Sequence, residues 1–271
     1  MFRRHLTLQP FQRNSRWRKV AIGSWGEPFD PSIHGTLKVD ATRLLQVIEQ
    51  YRQRGIRLTP TVIAAKAAAK AIEAYPAING VLRWGRIYQR NEINIFLQVA
   101  SDDTGEDLSG TVIAHCADKS LAEITAELQA KVTAIRNGDD QQIERGKKTM
   151  AVTPGLLMRP ALRAISFILY SLNLWSPWLG VPRDPFGGAA VSSVGSLGIA
   201  METVFPPLIH YCRVPMMLAV GKIEKQPWVE NDQVVVRPVL TISATLDHRY
   251  VDGIGGGKLL NAFRSYLLDP H

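Results

Sequence analysis

The chain has 271 residues, 46% hydrophobic and 21% charged, which is enough to bury a core and excludes a disordered or low-complexity protein. Its formal charge of +8 suits a polyanionic partner. However, Arg3, Arg4, Arg13, Arg16, Arg18 and Lys19 crowd the first residues without any recognition motif, which argues against nucleic acid as a partner. Cys116 and Cys212 sit in apolar runs away from any metal-ligand spacing, so they predict two buried thiols in a reducing compartment, with no disulfide and no metal site.

The first segment lacks the continuous apolar stretch of a secretory signal, and the expected location is the cytoplasm. Over residues 40–54, Leu44, Leu45, Val47, Ile48 and Tyr51 recur at helical spacing until Gly55 stops the run. A second helix starts at Thr59 with Pro60 in its first turn and runs through an alanine-rich stretch to Pro76, which predicts close helix packing. Residues 80–84, 93–100 and 111–115 predict strands, and Ser120 with Glu123 predicts a capping box that opens a third helix ending near Asn137.

Residues 164–182 carry no charge and hold Phe167, Leu169, Tyr170, Leu172, Leu174, Trp175 and Trp178. Pro160 and Pro177 bracket too few residues for the ~20 that span a bilayer. The expectation is an apolar helix over 164–178 that packs against another subunit or lies on a membrane surface, which would make the protein membrane-associated. Farther on, residues 189–194, 216–223, 233–237 and 239–246 predict strands, Glu230-Asn231-Asp232 predicts a turn, and a last helix is expected after Gly257. Strands grouped late, with helices between the early ones, predict an α/β protein built as an α+β two-layer sandwich with a mixed or antiparallel sheet. No linker divides residues 1–271, so a single domain is expected.

The run Leu246-Asp247-His248-Arg249-Tyr250-Val251-Asp252-Gly253 places an imidazole at a strand-to-loop corner. Asp252, four residues on, can shape the loop or orient the ring, and a histidine fixed in one tautomer can take a proton from a thiol or hydroxyl near neutral pH. By spacing alone, a purely structural loop histidine fits as well.

Asp247-His248-Arg249-Tyr250-Val251-Asp252-Gly253 resembles the D-H-R-x-x-D-G signature of the catalytic domain of the 2-oxoacid dehydrogenase (dihydrolipoamide) acyltransferase family. The H-x-x-x-D-G core is shared across the chloramphenicol acetyltransferase-like superfamily. Further blocks agree. Arg18-Lys19-Val20-Ala21 resembles the family's opening block, and Ile33-His34 and Val39-Asp40 follow at the expected distance. The helix ending Pro76-Ala77-Ile78-Asn79, the run Val191-Ser192-Ser193-Val194-Gly195, and Val214-Pro215 through Gly221 each resemble a family block.

The resemblance implies the CoA-dependent acyltransferase fold and transfer of an acyl group between CoA and dihydrolipoamide or another small acceptor. His248 would be the general base and Ser192 the oxyanion donor, with Ser193 as the alternative donor. Asp252 would maintain the loop, paired with Arg18, and Asp247 and Gly253 would support the site. Homotrimers with active sites between subunits are also implied.

Several features depart from the family. No lipoyl or subunit-binding domain precedes the catalytic blocks, so lipoamide is expected on a separate chain, a lipoyl carrier protein. Residues 102–110 lack the family's G-L-x-x-P loop, and residues 150–188 form an apolar insertion. One residue follows Pro270 after Leu267-Leu268-Asp269, which predicts an isolated trimer rather than a cage. The rival expectation is a catalytically silent assembly or membrane-docking protein that keeps the fold.

Overall fold

The computed structural model describes residues 3–10, 30–100, 108–138, 153–179, 181–195 and 204–271. Arg18 and its block lie outside these residues, as does most of 102–110. Two short strands open the chain, β1 (Arg3–Arg4) and β2 (Leu8–Pro10). Strand β3 (Ser32–Asp40) leads into helix α1 (Thr42–Gln53), which buries Leu44 and Val47 one turn apart. Helix α2 (Pro60–Ala74) starts where predicted, with the Thr59 side chain accepting from the Val62 amide. Its alanines before Ala74 are all buried, because only small side chains let a helix pass through the middle of the molecule.

A hairpin of β4 (Gly80–Arg83) and β5 (Arg86–Arg90) follows, then β6 (Ile95–Ala100) and β7 (Leu108–Ile113). Helix α3 (Leu121–Asn137) is opened by the capping box that Ser120 and Glu123 predict. Helix α4 (Gly155–Ser166), strand β8 (Leu174–Trp175) and strand β9 (Ala189–Ser193) lead to a long hairpin of β10 (Met216–Glu230) and β11 (Gln233–Asp247). Asn231 and Asp232 turn that hairpin at φ 50° and 60°, the left-handed values a tight β-turn requires. Helix α5 (Gly253–Leu268) ends the chain.

Six strands form one sheet in the order β3-β11-β10-β9-β6-β7. Strand β9 runs parallel to both neighbours and the other pairs are antiparallel, so the sheet is mixed, as the grouping of strands predicts. Paired residues share a face. The row Leu97, Val191, Leu218, Ala244 packs into the main core with Val62, Ile63 and Ile72 of α2 and Leu259 and Phe263 of α5. The next row, Phe96, Ala190, Met217, belongs to a separate cluster on the opposite face with Cys212 and Val214. Cys116 and Cys212 are both buried and free, and burial pushes each thiol up to about 12.

Three expectations need correction. Residues 233–237 and 239–246 are one strand: the Pro238 carbonyl accepts from Ala41 N–H at 2.8 Å, so the missing donor of Pro238 faces the side where β3 has ended. The last helix begins at Gly253, not after Gly257, because Asp252 caps it. Residues 164–178 are not one apolar helix, since only 164–171 are helical. Helix α4 ends at Ser166, a π-helical turn spans Phe167–Ser171, and β8 follows. Much of this stretch packs within the chain, since Leu169 and Tyr170 form a cluster with Leu6 and Val81. Among the described residues no helix is long and apolar enough to cross a membrane.

That cluster ties the start of the chain to the stretch before β9. The Asn173 side chain accepts from Leu6 N–H at 2.7 Å and donates to Leu6 O at 2.9 Å, and Arg183 Nε donates to His5 O at 2.7 Å. His5 is wholly buried, edge-on to Tyr170 at 5.1 Å. Burial, reinforced by the Arg90 and Arg183 charges, pulls the His5 pKa down to about 3. The folded state therefore refuses a proton that the unfolded state takes up near 6.5. This contribution to stability is complete above about pH 6.5 and is lost as pH falls from there toward 3. Urea denaturation from pH 7 to 4 should accordingly show a smaller loss of stability for His5→Phe than for the wild type. Equal losses would show that His5 does not carry the effect.

Candidate active site

The loop between β11 and α5 is held by its own side chains. The His248 amide donates to Pro31 O at 2.9 Å, and His248 Nδ1 lies 2.5 Å from Val251 O. A carbonyl can only accept, so Nδ1 carries the ring proton and Nε2 carries the lone pair. The ring is thereby fixed in the tautomer and orientation of a base acting through Nε2. The Asp252 side chain accepts from Gly255 N–H at 2.8 Å, which ends the loop and starts α5 at a defined residue.

Two further residues brace the loop. Tyr250 is buried, its ring against Gly80, and its hydroxyl accepts from Leu82 N–H at 2.9 Å; burial pushes its pKa up to about 12. Asp247, also buried, is gripped by Arg249, with Nε to Oδ1 at 3.0 Å and Nη2 to Oδ2 at 2.7 Å, and accepts from the Arg249 amide at 2.9 Å. Gly255 has to be glycine, since a Cβ there would stand 2.5 Å from the Tyr75 ring. At Gly253 a Cβ would meet nothing within 4 Å, so no close approach among the described residues explains it.

The sheet register separates the two candidate oxyanion donors. Ser192 lies in the row Thr36, Ser243, Ala219, the polar face on which Asp247 also lies. Ser193 lies in the row Leu37, Ile242, Val220, the core face. Alternation thus puts Ser192, not Ser193, on the side of the catalytic loop. Beyond Ser193 the chain presses close to its neighbour: a Cβ at Gly195 would come within 2.5 Å of the Gly221 and Lys222 backbone, where β10 shifts register.

The same register keeps Ser192 away from the histidine of its own chain. Ser192 is level with Ser243 across two strand spacings, and Asp247 lies four residues farther along β11, a separation of about 16 Å. A base must reach the proton of the attacking thiol and an oxyanion donor the carbonyl oxygen it attacks, each at about 3 Å, so both must stand at one reacting centre. The loop thus assembles Asp247, His248, Asp252 and Gly253, while Ser192 stands apart from them.

The bracing by Tyr250 and Tyr75 escapes the sequence motif, in which Tyr250 occupies a variable position. The signal for it is chemical: a tyrosine next to a buried aspartate needs partners for its hydroxyl. Arg249→Gln should cost about 3–5 kcal/mol, because Asp247 is left buried and uncompensated. A chemical-denaturation difference below about 1 kcal/mol would place the pair among solvent-screened surface contacts instead.

A family model described as 2-oxoacid dehydrogenases acyltransferase (catalytic domain) matches residues 29–154 and 186–271. The dihydrolipoyllysine-residue acetyltransferase component of the pyruvate dehydrogenase complex of Bacillus subtilis (strain 168) is 25% identical over 245 residues, 88% of this chain and 45% of that protein. The chain therefore spans less than half the length of that relative. Among solved structures, a probable dihydrolipoamide acetyltransferase from Listeria monocytogenes 4b F2365 superimposes with a TM-score of 0.64 at 22% identity, covering 93% of this chain and 88% of the other. A chloramphenicol acetyltransferase superimposes with a TM-score of 0.57 at 12% identity over 96% of this chain and 100% of its own. With the family model covering most of the chain and both structures superimposing on most of it, the chain belongs to the 2-oxoacid dehydrogenase acyltransferase family and has the chloramphenicol acetyltransferase-like fold.

Proposed function

We propose that the protein is an acyltransferase that moves an acyl group between CoA and dihydrolipoamide or another small acceptor, with His248 as general base and Ser192 as oxyanion donor. The observation that carries this is the His248 ring, held through Nδ1 by Val251 O at 2.5 Å so that Nε2 is the basic nitrogen. Nε2 takes the proton of the attacking thiol, and the thiolate adds to the thioester carbonyl. The resulting oxyanion accepts a hydrogen bond from the Ser192 hydroxyl. When the intermediate collapses, the C–S bond to the leaving thiol breaks and the imidazolium returns its proton to that sulfur. Asp252 contributes by fixing the end of the loop, and Asp247 with Arg249 by fixing its start.

Because one chain holds Ser192 and the His248 loop about 16 Å apart, the complete site takes the serine from one copy and the histidine from the next. A homotrimer of a single domain provides three such sites. The lipoyl group, where it is the acceptor, is presented by a lipoyl carrier protein. The residues 150–188 are an insertion into this domain.

A docking role has one specific observation in its favour. Leu156 and Leu157 of α4 are 90% and 53% exposed, which suits contact with another subunit or a membrane surface.

Turnover of acetyl-CoA with dihydrolipoamide, followed by loss of the thioester, tests the proposal. His248→Ala should lower the rate by about 10²–10⁴ and Ser192→Ala by about 10²–10³, both with unchanged unfolding midpoints. Ser193→Ala should retain activity. Undiminished turnover in the histidine variant would remove His248 as the base, and no turnover in the wild type would leave only the docking role.

A further inference from the structure

Strand β3 is one edge of the six-stranded sheet and carries a glycine in its middle. Gly35 pairs with Ala244 and Ala244 with Leu218, so this row shrinks toward the edge on the face that packs into the core. A Cβ at Gly35 would meet nothing within 4 Å. A glycine inside a strand weakens it and marks a place where a ligand or another backbone comes close. Among the described residues that place is a cavity of about 180 Å³.

The cavity lies between the sheet and the helices. Ile33, Leu37, Met216, Leu218, Ile242 and Leu246 line it from β3, β10 and β11, and Leu259, Leu260 and Phe263 line it from α5. Among these large side chains stand four small residues, Gly35, Ala71, Ala244 and Gly256, which make the hollow. His34 and Thr36 border it through their backbone only. Alternation turns their side chains to the other face, where His34 Nδ1 lies 3.0 Å from Thr245 Oγ1 and Thr36 Oγ1 lies 3.4 Å from Ser243 Oγ. The cavity is open at the edge of the sheet, where Leu260 is 49% exposed.

Packing does not explain this hollow. Protein interiors fill space densely, and a strand position that has room for a side chain but holds glycine gives up both burial and strand propensity. Water does not suit it either, since a bound water needs polar partners and the side chains facing the cavity are apolar. A hydrocarbon does suit it. An apolar cavity of about 150 Å³ takes benzene, so this one fits a chain of about six carbons.

Its place in the fold names the hydrocarbon. The two walls, β11 and α5, are the elements that the His248 loop joins, and Leu246 of the lining is two residues before His248. Two residues of strand span about 7 Å. A chain whose carbonyl stands at His248 therefore has its tail within reach of the cavity.

We propose that this cavity holds the hydrocarbon chain of the acyl group, and that Gly35 keeps room for acyl groups of about six carbons in preference to acetyl. The word acyl rests on the acyltransferase reading. The assignment of the cavity to a hydrocarbon chain does not.

Hexanoyl-CoA and acetyl-CoA make a matched pair, since they differ only in the length of that chain. Calorimetric titration of each into the full chain should show hexanoyl-CoA binding about tenfold or more tightly. Gly35→Leu, which puts its own side chain into the cavity, should bring the two affinities within about twofold of each other. Gly35→Ala, whose methyl has room, should lower the ratio by less. Neither variant should unfold at a lower temperature or change in light-scattering mass.

Equal affinities in the wild type, no binding of either ester, or a preference that survives Gly35→Leu would overturn the proposal. A change of mass in Gly35→Leu would also overturn it, by assigning the cavity to a contact between copies. If the leucine variant does not fold, an unchanged ratio in Gly35→Ala overturns the proposal and a lowered ratio supports it. If the hexanoyl preference depends on Gly35 while no acyl-CoA turnover is found, the acyltransferase reading fails and the hydrocarbon site stands. Turnover of acetyl-CoA with equal affinities gives the reverse outcome.

Discussion

The register that joins β9, β10 and β11 is the constraint on which the rest of the molecule depends. Val220 pairs with Ser193 on one side and Ile242 on the other, and Ala219 pairs with Ser192 and Ser243. A slip of one residue would turn Ile242 and Leu240 out of the core and bring Ser243 and Thr241 into it. The buried apolar row therefore fixes the polar row, and the polar row carries Ser192. The same pairing carries β11 to Asp247, one residue before His248, at the end of the strand rather than beside the serine. Separation of His248 and Ser192 within one chain is thus a consequence of how the core packs.

What surrounds His248 is equally determined. Tyr250 anchors the loop into the layer of β4 and β5, Arg249 closes on Asp247, and Asp252 converts the end of the loop into the first turn of α5. Each of these contacts is local or reaches one neighbouring element, so the imidazole is placed by the chain that carries it. From the other side, α4 lies across a cavity next to Arg249, so the shape of that approach depends on residues the family does not share. The His248 loop, within the family match, and a wall outside it therefore meet at one place.

Features encoded by a few adjacent residues were legible in the sequence. Thr59 and Pro60, the box of Ser120 and Glu123, and the Asn231-Asp232 turn each act within one turn of chain, and each forms where expected. Long-range features were not. Strand β3 carries His34, Gly35 and Thr36 in its middle, a weak strand pattern, and is stabilised by pairing with β11 some two hundred residues later, His34 Nδ1 reaching Thr245 Oγ1 at 3.0 Å. The apolar run 164–178 gave the wrong length of helix because composition does not show where a helix ends: it stays helical to Ser171, packs Leu169 and Tyr170 on Leu6 and Val81, and then turns into β8. The His248 motif was legible as chemistry, but Asp252 as a cap and Tyr250 as an anchor required the fold.

The claim that the active site is shared between copies is tested most directly by co-expressing His248→Ala and Ser192→Ala chains and measuring acyl-CoA turnover of the mixed assembly. If each site draws its histidine and its serine from different chains, two inactive partners in equal amount should restore about a quarter of the wild-type sites. Activity no greater than that of the two variants assayed separately would show that the copies do not complement one another, and would contradict the shared site.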